Sequence, residues 1–146
     1  MAKAMERFRA GNHSLFYERH SGLVCLVHVG TMNGAEMTAV ADQIAEYQGR
    51  YFPGEPPFML VDNRQATGFT LDARHALSQH RLPRDEVYAA LWGASFAVRT
   101  VINLVFKALS IATNAKSAAM AVGSESEARA WLNEQRNLCS RRRNAA

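Results

Sequence analysis

The sequence predicts one α/β domain built on a mixed β-sheet covered by helices, in the order β-β-α-β-α-β-α-β-α. Three observations point there. Phe58-Met59-Leu60-Val61 is a continuous apolar run after Pro56-Pro57, too short for a helix and suited to a strand covered on both faces. Leu23-Val24-Cys25-Leu26-Val27-His28-Val29 is a second such run, expected at the centre of the sheet. From Asn33 onward, stretches of helical spacing alternate with short apolar runs, as in parallel strands joined by crossover helices. At 146 residues the chain has the length of one domain, whose core needs no staples.

Each element has its own signal. Residues 1–12 are polar and are expected to be flexible. Leu15–Arg19 reads as the first strand, and His20-Ser21-Gly22 links it to the second as a hairpin. Gly30–Gly34 reads as a turn. Asn33 and Glu36 then form a capping box for a helix running to about Arg50, with Met37, Val40, Ala41 and Ile44 on its buried stripe. Pro53, Pro56 and Pro57 stop that helix and lead into the Phe58 strand. Asp62 is expected to end this strand, residues 63–69 to form a loop containing Gly68, and Thr70 to cap a helix over Leu71–His80. Val87–Trp92 is the next strand, and Ser95 caps a long helix, Phe96–Ala112. Ser117–Val122 is the last strand. Ser124-Glu125-Ser126-Glu127 opens the closing helix, with its carboxylates where the helix dipole favours them.

Composition narrows the function. The net charge is +4, and residues 136–146 hold Arg136, Arg141, Arg142 and Arg143 without an acidic residue, so residues 1–135 sum to +4 − 4 = 0. A neutral body excludes a specific nucleic-acid-binding domain. Residues 13–135 form the domain, and 136–146 are expected to be a solvated basic tail, with contact to phosphates or acidic lipid heads as the alternative. Cys25 and Cys139 make no disulfide framework. Neither a secretion signal nor a membrane span is present, so the expected location is the cytoplasm.

In element order and lengths the chain resembles the STAS-like proteins related to bacterial anti-sigma-factor antagonists, in particular the STAS/SEC14-like variants. The likeness is carried by Phe58-Met59-Leu60-Val61-Asp62, Gly68, Thr70-Leu71-Asp72-Ala73-Arg74, Ala119-Met120-Ala121-Val122 and Glu127-Ala128-Arg129-Ala130-Trp131-Leu132. The resemblance implies a non-enzymatic bacterial signalling domain that works by protein–protein contact, with a kinase-like or sigma-related factor as partner. It also implies a phosphoacceptor at the helix start after the central strand. Thr67 and Thr70 match that place, within Gln65-Ala66-Thr67-Gly68 where the family has an Asp-Ser-Ser-Gly type of sequence. The partner surface is therefore expected to hold Asp62, Thr67, Gly68, Thr70 and Arg74. The alternative is a small apolar-ligand or lipid-binding module of SEC14-like type.

The residues offer little to an enzyme, a metal or a cofactor. His75 and His80 are five apart, which places them on different sides of a helix, and His13, His20 and His28 belong to other elements. Cys25 and His28 stand three apart on one strand and point to opposite faces, so they form no nucleophile–base pair. Asp62 has a structural reading, capping its loop, beside the partner-binding one. Thr70 serves equally as a helix cap and as a phosphoacceptor. The helix Phe96–Ala112 is apolar over more than half its circumference, wider than covering a sheet requires. Deep burial between helices explains this, as does a subunit interface at Leu104, Ala108 and Ile111, which would make a homodimer. The lining of an apolar ligand cavity is a third reading.

Overall fold

The computed structural model describes residues 6–79, 87–113 and 118–145, without the side chains of 77–79, 101, 105, 106 and 108–113. Six strands form one sheet in sequence order: β1 (Phe8–Ala10), β2 (His13–Glu18), β3 (Leu23–Met32), β4 (Phe58–Phe69), β5 (Tyr88–Trp92) and β6 (Ala118–Val122). The first three are antiparallel, and β3 through β6 run parallel. The parallel strands are joined by α1 (Gly34–Tyr51), α2 (Leu71–Gln79) and α3 (Phe96–Thr113), and α4 (Glu125–Ala145) closes the chain. The sheet is mixed as the sequence predicts, and β3 is central.

Alternation along β2 places the helices. Tyr17 stacks on Tyr51 of α1 at 3.9 Å between ring centroids, whereas its neighbour Glu18 takes Arg129 of α4 at 2.7 Å. Successive strand residues point to opposite faces, so α1 and α4 lie on opposite sides of the sheet. The Arg129 hydrogen bonds outweigh burial and hold the Glu18 carboxyl down at about 2. Between sheet and α1, a core of Leu15, Val24, Leu26, Val40, Ile44 and Tyr47 is closed off from water.

Four expectations need correction. The flexible segment 1–12 contains β1, because Gly11-Asn12 is a two-residue hairpin turn that returns Ala10 opposite His13. Gly11 has φ +60°, and a Cβ there would fall 1.7 Å from the Glu36 carboxylate. Second, β3 and β4 do not stop at Val29 and Asp62. They run on together to Met32 and Phe69, paired Val29 to Gln65 and Met32 to Phe69. Register shifts beside Gly30, at φ +72°, let this ribbon twist beyond β5, which ends opposite Asp62. With water on its free side, the ribbon carries the polar residues that read as a loop.

Third, residues 136–146 are not a separate tail, since α4 is helical to Ala145. Arg136 donates to the carbonyls of Ser21 and Gly22, both at 2.7 Å, and lies 4.9 Å from the centre of the Phe58 ring. Cys139 is buried, and Arg143 pairs with Glu55 at 2.8 Å. The spacing Ala128, Leu132, Cys139 keeps one side of this helix on the body of the protein. Fourth, among its described side chains α3 is not buried between helices, since Phe96, Val98 and Leu104 are exposed. It lies along the free edge of β6, where the Asn103 side-chain amide donates to the Ala121 carbonyl at 3.0 Å and accepts from the Ala121 N–H at 2.7 Å. Ser95 caps it as the sequence predicts, accepting from the Val98 N–H at 3.3 Å.

Replacing Asn103 by Ala should cost about 2 kcal/mol, since two backbone groups of the edge strand lose their partner. Chemical denaturation measures this, and an unchanged midpoint would mean that α3 is held by something else.

Candidate functional site

The parallel strands bring the β3–α1 and β4–α2 connections to one edge of the sheet, where such folds meet ligands and partners. Three ties lock these connections together. The Thr70 N–H donates to the Met32 carbonyl at 3.0 Å. The Gly34 N–H donates to the Asp72 carboxylate at 3.2 Å, and a Cβ on Gly34 would fall 2.8 Å from that oxygen. The Thr31 and Thr67 hydroxyls, both exposed, share a hydrogen bond of 2.8 Å across the ribbon. Asn33 and Glu36 form the predicted capping box, their two bonds at 2.9 and 3.0 Å.

Thr70 is the cap of α2: its hydroxyl oxygen accepts from the Ala73 N–H at 3.2 Å, and it bonds the Asp72 carboxylate. That bond, with the Gly34 N–H behind it, holds the Asp72 carboxyl below the ordinary range. Thr67, Gly68, Thr70 and Arg74 are thus gathered at one corner, with the Arg74 side chain exposed. Phe69 and Leu71 stand in the same corner, 40 and 82% exposed.

Asp62 is not in this group. Phe58 stacks on Tyr88 on the α4 side, and alternation puts Asp62 and Trp92 on that same side. There Asp62 accepts from the Arg64 side chain at 2.8 Å and from its backbone N–H at 3.0 Å, while the guanidinium lies 4.5 Å from the centre of the Trp92 ring. Burial opposes ionisation of Asp62, but the hydrogen bonds from Arg64 prevail and keep its pKa low. This arrangement is the structural role of Asp62. Leu104 is 63% exposed on α3, and the side chains of Ala108 and Ile111 fall outside the described residues. His80 lies outside them as well.

Beneath the corner runs a buried polar row that sequence reasoning missed. His13, His28 and Asn63 are 1, 2 and 8% exposed, on three adjacent strands. The His13 and His28 rings meet at 5.0 Å, and Phe69 covers His28 at 4.9 Å. His13 Nδ1 accepts from the Val29 N–H at 3.1 Å, which leaves Nε2 facing the Glu36 carboxylate at 3.5 Å. His28 Nε2 has no hydrogen-bond partner among the described residues. Burial first, and the adjacent His13 second, push the His28 pKa down. The available signal was parity: His28 shares the inward face of Val24 and Leu26. Cys25 points the other way, and burial raises its thiol to about 12, so it is no nucleophile at neutral pH. Among the described residues, no three His, Cys, Asp or Glu side chains are grouped to hold a metal.

Neither a protein-family model nor a curated protein sequence matches the chain. By structure it is similar to an uncharacterized DUF3478-family protein with a SpoIIAA-like fold from Shewanella loihica PV-4. The TM-score is 0.51 at 14% identity, over 88% of this chain and 92% of that one. The fold is SpoIIAA-like. The anti-sigma factor antagonist SpoIIAA in its unphosphorylated form gives a TM-score of 0.46 at 10% identity, over 89% of this chain and 98% of that one. In this SpoIIAA-like frame, the exposed corner stands at the end of β4 and the start of α2.

Two outcomes follow for the corner. Thr70→Ala should lower stability by about 1 kcal/mol through the lost cap, read as a shift of the thermal midpoint. Because His28 is disfavoured as a cation when folded, the unfolded chain binds its proton first. Stability should therefore fall as pH drops below the ordinary value of 6.5 and go on falling to the lower folded pKa. Urea titrations at several pH values should show that loss shrinking in His28→Leu; an identical loss would assign it to another group.

Proposed function

We propose that the chain is a non-enzymatic bacterial regulatory module that binds a protein partner through the β4–α2 corner. One observation carries this reading: Leu71 stands in solvent, with Phe69 part-exposed beside it over His28, on a corner tied down by the Thr70–Met32, Gly34–Asp72 and Thr31–Thr67 bonds. Exposed apolar side chains on a rigid support suit a partner's pocket, because little conformational freedom is lost on binding. The SpoIIAA-like fold is compatible with this role but does not establish it, since one fold serves many functions.

The geometry favours Thr67 over Thr70 as the residue of a phospho-switch. The Thr67 hydroxyl is exposed and, among the described residues, bonded across the ribbon to Thr31. The Thr70 hydroxyl holds the helix cap beside the Asp72 carboxylate, where a phosphate would meet like charge and break the cap. A phosphate on Thr67 adds about −1.5 to −2 charge next to the apolar anchors and changes which partner fits. The alternative, a small apolar-ligand or lipid-binding module, would need an apolar cavity. Among the described residues, one cleft is lined by Glu6, Gln43 and Arg50 together with Phe8 and Tyr47, and another lies on the outer side of α4 between Asn133, Leu138 and Arg141.

Capture of partners from the native host, with wild type and Leu71→Glu compared, tests the reading. A specific partner that is lost with Leu71→Glu, and phosphate on Thr67 within the tryptic peptide 65–74, are the expected results. A partner held equally by both proteins would move the surface elsewhere, and phosphate on Thr70 instead would refute the switch assignment.

A further inference from the structure

The β4–α2 corner sits on a histidine sealed from water. His28 on β3 is 2% exposed, and its Nε2 has no hydrogen-bond partner among the described residues. Phe69, the last residue of β4, covers the ring at 4.9 Å and is itself part-exposed. From β2, His13 meets His28 at 5.0 Å. From β4, the Gly68 carbonyl and the Asn63 side chain face it. From α1 comes the Glu36 carboxylate, which is engaged with His13 Nε2 at 3.5 Å. His13 Nδ1 is taken by the Val29 N–H at 3.1 Å. A proton reaching this pair is therefore left with His28 Nε2, a buried position with neither water nor a bonded carboxylate. A cation held there loses its hydration without replacement. The cover above it has freedom to leave: Gly68 precedes Phe69 at φ +144°, and a Cβ there would meet nothing within 4 Å.

We infer that His28 and Phe69 form an acid-operated latch on the corner. While His28 is neutral, Phe69 stays closed over the ring and the corner keeps its shape. When acid protonates His28, Phe69 swings out about Gly68, water reaches the cation, and Leu71 moves with the released segment. The direction agrees with the burial that pushes the His28 pKa down: the open form binds the proton first, so opening grows as pH falls below the ordinary value of 6.5. The latch rests on the docking reading only for its use, as a control on partner binding, and it is read without a partner.

Amide exchange of the full-length protein is followed by NMR at about pH 7.5 and about pH 5.5, corrected for the intrinsic pH dependence, in low urea. A proton taken up by the open form at the ordinary value makes opening up to about tenfold more populated at the lower pH. The Thr70 N–H, bonded to the Met32 carbonyl, should exchange faster by that factor, with the weak urea dependence of a local opening. His28→Leu should abolish the acceleration. Should the leucine variant not fold, His28→Gln keeps a polar side chain that does not titrate and should do the same. Equal exchange at both pH values overturns the inference, as does acceleration that persists without His28. Thr70 exchange with the urea dependence of Leu26 and Val61 in the inner ladder also overturns it, because the proton then enters only by global unfolding. A latch that passes these tests stands even where Leu71→Glu leaves partner capture unchanged, a result that sinks the docking reading alone.

Discussion

The parallel pairing of β3 with β4 is the constraint on which the rest of this structure depends. It is the longest ladder in the sheet, and both neighbouring helices begin where it ends. In its inner half the strands are buried on both faces, which demands the apolar runs at Leu23–Val27 and Phe58–Val61. In its outer half β5 is gone, one side of the ribbon faces water, and polar residues with Gly30 and Gly68 take over. The same two strands therefore build the core and then carry the chain out to a displayed corner. The ties from Thr70 to Met32 and from Gly34 to Asp72 make the starts of α1 and α2 move as one piece with that ladder.

Where core gives way to corner, the sheet places His13, His28 and Asn63 rather than another apolar layer. This row has a cost, since a buried imidazole nitrogen without a partner loses its hydration. What the row supplies is connection: it joins β2, β3 and β4 to Glu36 at the start of α1 and to the underside of Phe69. The exposed residues of the corner thus rest on a polar layer whose charge state depends on acidity. Asp62 belongs to a different arrangement on the other face, where Arg64 and Trp92 close the end of the β4–β5 pair.

Much of the architecture was legible in the sequence, because it rests on period and punctuation. The two apolar runs, the Asn33–Glu36 box, the Thr70 and Ser95 caps and the prolines before Phe58 each mark an element that the structure contains. What escaped depended on partners distant in the chain. β1 is only three residues long and is recognisable by its Gly11-Asn12 turn, a pattern that gains meaning only once His13 is known to pair back. The outer half of β4 reads as a loop because a ribbon wet on one side has no apolar run. The four arginines at the end of α4 read as a tail because a charge count does not register Arg136 reaching the Ser21 and Gly22 carbonyls. For the site, Thr67, Gly68, Thr70 and Arg74 follow from adjacency along the chain. The separation of Asp62 from them follows from strand parity, a property available in the sequence once the strand is known to continue.

The clamp of Asn103 on Ala121 also limits how this sheet can grow. An open edge strand offers its backbone to any extended segment that can add as a further strand, in a partner complex or in a fibril. Here one edge has α3 laid along it with an amide side chain on its backbone, and the other is a three-residue strand, too short to template much. Strand addition is thereby disfavoured at both edges of the sheet. The same two features protect the chain against edge-to-edge aggregation while its apolar helix and corner remain on display.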